Sequence, residues 1–191
     1  GTELISLYWM ALVRDVPFDQ YPVNGLVASA VSELGTTVAD LFRGTAPGCN
    51  VGPYISQFLY LPCSYGANDI DQKIAPPQAG EDYMTTFTHY LNIQNGKNSL
   101  ETVTPFGTTR RYIATGRDLT AWRGIGVLWQ AYFMATLQLM GNLGIPANPT
   151  NPYLSVANQR GFATFGGPHF ATLVVEVATR ALRTVWYQKW F

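Results

Sequence analysis

The residues best equipped for chemistry lie at the end of the chain. The segment FGGPHFATLVVEVATRALRTVWYQKWF places Phe170, Leu173, Val174, Val177, Ala181 and Val185 at helical spacing, as one apolar stripe. One further turn lands on Lys189, so the face that spacing predicts to be buried ends in an ammonium group. A buried ammonium needs an anion beside it, because an unpaired interior charge costs several kcal/mol. A plainer reading fits the same position: a cation in a last helical turn suits the negative end of the helix dipole, and its stem can lie along Trp186 and Trp190. Spacing alone leaves both readings open.

Other reactive side chains are few. His89 and His169 are the two histidines, and His169 follows Pro168 at a helix start, where a structural role is the expectation. Cys49 and Cys63 flank the short segment CNVGPYISQFLYLPC; a disulfide and two free thiols are both compatible with it. Their spacing is no metal signature. Asp69 and Asp71 share a loop, but two carboxylates are too few to assign a cation site.

Composition narrows the classes of partner. Charged residues make up 13% of the chain and aromatics 14%, with no net charge. Nucleic-acid binding needs clustered Lys and Arg, and the densest cluster is the pair Arg110-Arg111. Apolar runs are interrupted too often for a membrane-spanning helix. A surface so poor in charge predicts cover by another subunit or by more of a longer chain. Tyr8, Trp9 and Phe18 near the start fit a homo-oligomer.

The elements that must position Lys189 read as helices joined by irregular loops. Helices are predicted over 3–16, 24–43 and 81–93, over 109–143 as two helices with Arg117-Asp118 near their junction, and over 168–190. Gly35 interrupts the second, and Pro168 sits at a first helical turn with Gly167 as cap. Residues 54–61 are short enough for a strand or a helical turn, and 62–80 and 148–161 read as loops. With almost no alternation of period two, the expectation is an all-α fold, one helical domain over 1–191.

Several strings carry a family resemblance. YWMALVRDVPF (8–18), GPYISQFL (52–59), YLNIQNG (90–96), GRDL (116–119), FATFGGPH (162–169), and EVATRAL with VWYQKW (176–190) resemble the vanadium-dependent haloperoxidases, in particular the algal-type bromoperoxidases. The resemblance implies a helical bundle of the vanadium haloperoxidase and acid phosphatase type. It implies vanadate as cofactor and oxidation of bromide or iodide by hydrogen peroxide, with organic acceptors halogenated afterwards. By the same likeness Lys189 is the first residue to hold the vanadate oxygens, and also polarises bound peroxide, while Trp186 lines the cleft. The family continues beyond this lysine with an arginine-proline, an S-G-H segment, and an arginine followed by the histidine that ligates the metal. None of these is in the sequence, and His89 and His169 match neither family histidine. The chain is therefore expected to be an N-terminal part with an incomplete site, inactive without its C-terminal complement. Two alternatives stand beside this reading: a phosphatase using the same oxyanion pocket, and a non-catalytic helical assembly module.

Overall fold

The computed structural model describes residues 1–97, 106–141, 149–159 and 166–191. Its regular elements are α1 (Thr2–Val13), α2 (Gly25–Leu34), a hairpin of β1 (Cys63–Tyr65) and β2 (Asn68–Ile70), α3 (Phe87–Gln94), α4 (Gly116–Ile125), α5 (Gln130–Gly141) and α6 (Gly167–Trp190). The expected helical fold is observed, with one small sheet added. The chain divides into two compact units, residues 1–55 with 73–124, and residues 56–72 with 125–191.

In the first unit, α1 turns Trp9 and Val13 inward onto Val27 and Ala30 of α2. The Trp9 indole N–H donates to Glu33 at 2.9 Å, so burying this ring leaves no unmet donor. Asn24 caps α2 by accepting from the N–H groups of Leu26 and Val27. Gly35 closes it at φ 61°, a left-handed conformation that glycine adopts without a Cβ clash. The helix thus stops nine residues short of the predicted end at 43. Leu41 nevertheless reaches the core from the turns beyond, fully buried beside Tyr21. Phe18 stacks on Tyr54 at 5.3 Å, and the Tyr54 hydroxyl lies 2.5 Å from the Val38 carbonyl oxygen.

The second unit is built around α5, which packs on α6 and on β1. Phe133 meets Tyr65 and Trp129 edge-on at 5.6 and 5.2 Å. Gln138, almost fully buried, donates from its amide to the carbonyls of Phe58 and Leu61 at 2.9 and 3.2 Å. That contact ties α5 to the short 3-10 turn at Gln57–Leu59, which resolves the strand-or-turn ambiguity of residues 54–61. The hairpin, with Cys63 opposite Ile70 and Tyr65 opposite Asn68, lies inside the segment predicted as loop. Cys49 and Cys63 are both free; Cys63 is buried, and desolvation pushes its thiol above the ordinary value.

Two helix boundaries differ from the sequence reading for tertiary reasons. The third predicted helix begins at Phe87 instead of 81, because Met84 takes φ 54° and Thr86 caps the new start. Its acidic prelude is spent elsewhere: Asp82 pairs with Arg14, and the Glu81 carbonyl accepts from Arg117. Arg117 and Asp118 open α4 and do not mark the break before α5, which falls at 126–129. Residues 142–143, 148 and 160–161 of the predicted helix and loop lie outside the described residues.

Candidate functional site

α6 is the longest element of the chain, and its sequence explains where it starts and how it is held. Gly166 is the cap, Pro168 lies in the first turn where no N–H is needed, and Arg180 pairs with Glu176 one turn earlier at 2.6 Å. Its half-buried residues are His169, Phe170, Ala171, Val174, Val175, Ala178, Thr179 and Leu182. This is not quite the predicted stripe. Leu173, Val177 and Val185 are 46%, 57% and 60% exposed, and Ala181 is exposed as well. The helix is apolar on two adjoining sides, and α5 covers one of them.

The covered side points along the helix toward the candidate lysine. Leu182 and Lys189 are seven residues apart, two helical turns on one face. Lys189 itself is exposed, as is every residue from 183 to 191. Its ammonium lies 4.8 Å from the centre of the Trp190 ring and pairs with no carboxylate among the described residues. Trp186, one turn earlier, is 52% exposed, and Trp190 is 66% exposed. The two sequence-predicted site residues therefore share the last turns of one helix, with an uncovered cation among uncovered aromatic rings. The stacked pair Tyr187 and Phe191 continues this surface at 5.8 Å.

The remaining candidates lie apart from it. His89 is exposed in the first turn of α3, and its backbone N–H donates to the Thr86 hydroxyl. His169 is half-buried at the start of α6, edge-on to Phe170 at 5.9 Å. Asp69 accepts from the Ser64 hydroxyl across the hairpin. Among the described residues no three His, Cys, Asp or Glu side chains gather as a metal centre would require. One ammonium suits an oxyanion, but a lone cation does not make a complete oxyanion site.

Sequence reasoning missed the densest polar cluster, which is structural. The Arg117 guanidinium donates to both oxygens of Asp15, at 2.5 and 2.8 Å, and to the Glu81 carbonyl at 3.0 Å. Gly80 N–H adds a third bond to Asp15. Arg117 holds the Asp15 carboxyl below its ordinary value, the Gly80 bond adding to this and burial opposing it; the same pairing raises Arg117. Beside it, Asp118 accepts from the N–H groups of Ala114 and Thr115 and from Arg111, while Thr115 accepts from the Asp118 N–H. This reciprocal cap was legible as the pattern T-x-x-D just before α4. The strings RDV and GRDL, which carry part of the resemblance, thus join α1 to α4.

No protein-family model matches the chain. Individual proteins do. It is 31% identical to a vanadium-dependent bromoperoxidase of Corallina pilulifera over 98% of its length, and 30% identical to one of Ascophyllum nodosum over its whole length. A solved homohexameric vanadate-dependent bromoperoxidase from Ascophyllum nodosum superposes with a TM-score of 0.75 at 32% identity, covering 88% of the chain. The chain spans 40% and 37% of the first two relatives and 31% of the solved chain. The family resemblance and the helical fold read from the sequence are borne out.

Proposed function

We propose that this chain is part of a vanadium-dependent haloperoxidase that oxidises bromide or iodide with hydrogen peroxide. The observation that carries the reading is the likeness itself: 30–31% identity to bromoperoxidases over essentially the whole chain, with the same fold. The overall reaction takes halide, peroxide and a proton to hypohalous acid and water, after which organic acceptors are halogenated. Bound vanadate would supply the Lewis acid that makes peroxide susceptible to halide.

The contribution of these residues is electrostatic and steric. Lys189 would hold a vanadate oxygen by charge and hydrogen bond, as ammonium groups hold phosphate. With no carboxylate partner among the described residues, that charge would be available for an anion. The Trp190 ring, 4.8 Å from the ammonium, would help orient it, and Trp186 would wall the cleft beside it. The further positive groups and the metal-ligating nitrogen that a vanadate site needs would come from beyond these 191 residues. In this reading the working enzyme is a homo-oligomer, in keeping with the hexameric solved relative.

A paired assay tests this. The purified 191-residue chain, supplied with vanadate, peroxide and bromide, is expected to brominate nothing, whereas the chain with its C-terminal complement turns over in a bromide-dependent way. Bromination by the isolated chain would overturn the incomplete-site reading. Phosphate-ester hydrolysis by the complemented protein, without bromide oxidation, would replace the haloperoxidase with a phosphatase.

A further inference from the structure

By helical spacing the natural neighbour of Lys189 is Trp186, three residues earlier, because adjacent side chains on a helix diverge by about 100°. The lysine does not follow that line. Its ammonium lies over the ring of Trp190, 4.8 Å from the centre, so the stem bends across the end of α6 toward the next residue. A four-carbon stem is flexible enough for this, and an indole face attracts a cation more strongly than the other aromatic rings do. The choice of partner sets Lys189 apart from the paired arginines. Arg14, Arg111, Arg117 and Arg180 each meet a carboxylate, which neutralises them. Lys189 meets a ring, which holds the charge in place and leaves it whole.

We infer that Trp190 is a positioning residue of the oxyanion site, fixing the direction of the Lys189 ammonium without cancelling its charge. A carboxylate in the same place would compete with a bound oxyanion, whereas the ring quadrupole does not. The ring covers one side of the ammonium and excludes water there. The N–H donors on the other side are left for an oxygen, so less hydration has to be stripped when the anion arrives. Trp190 makes no bond to the anion itself and acts through Lys189. The inference rests on the assignment of Lys189 to the vanadate oxygens, and adds the group that aims this charge.

A double-mutant cycle in the protein with its C-terminal complement tests this, read as vanadate affinity by equilibrium dialysis. Trp190→Leu should weaken binding about fivefold to thirtyfold, the range of a cation–ring contact from partly wet to dry. Trp190→Phe, which keeps a ring face, should recover part of that loss. In a Lys189→Ala background the same Trp190→Leu change should cost nothing further, because no ammonium remains to be aimed. An equal loss in both backgrounds would overturn the positioning role and make Trp190 a structural residue alone. So would a Phe variant that binds as weakly as the Leu variant, or a Leu variant that binds as wild type while Lys189→Ala does not; either result leaves the lysine assignment standing. Wild-type affinity in Lys189→Ala would remove that assignment, and the role of Trp190 with it.

Discussion

Asp15 illustrates how much a single side chain carries in this molecule. It accepts two bonds from Arg117 and one from Gly80, linking the end of α1 to α4 and to the loop before α3. Because its folded-state value lies below the ordinary 3.8, it stabilises the fold above that pH, and the contribution disappears as pH falls through the lower folded value. Asp15→Asn should lower stability near neutral pH by about 1–3 kcal/mol. It should also flatten the loss of stability below pH 4, measurable as Tm against pH. A mutant with the wild-type acid profile would show that another carboxylate dominates there. Lys189 stood out in the sequence because a charge follows an apolar stripe, but its candidate role came from the family resemblance. Its contact with Trp190, in preference to Trp186, was not legible there, since ring placement depends on rotamers that spacing does not fix.

At the scale of elements, α1 and α6 were legible from periodicity and from Pro168 in the first turn of α6, whereas α2 was read through Gly35, the residue that stops it. What escaped was set by tertiary demand. Residues 81–86 read as helix by composition, yet Asp82 and the Glu81 carbonyl meet arginines from α1 and α4. The hairpin at 63–70 was hidden because three-residue strands are too short for alternation to register. The exposed half of α6 has the same origin. An apolar side chain announces that it will be covered, without saying by which residues. Local capping does follow sequence, so Thr115→Ala should destabilise the fold by about 1 kcal/mol. That substitution removes one half of the Thr115–Asp118 cap, and urea unfolding would measure its effect. An unchanged midpoint would mean that Asp118 and Arg111 hold the start of α4 without it.

Among the described residues, the outer arc of α1 and the last two turns of α6 are large uncovered apolar surfaces. A chain with 13% charged residues is suited to such cover, and in the proposed reading further polypeptide would cover α6. That cover would make Lys189 an oxyanion-binding charge. A non-catalytic helical module would instead leave the amine in solvent. Vanadate affinity of the complemented protein, compared between wild type, Lys189→Arg and Lys189→Ala, separates the two. Loss of one charge-assisted contact predicts binding weakened about tenfold to hundredfold in Lys189→Ala and partly retained in Lys189→Arg. Equal affinity in all three would contradict the assignment of this lysine to the vanadate site.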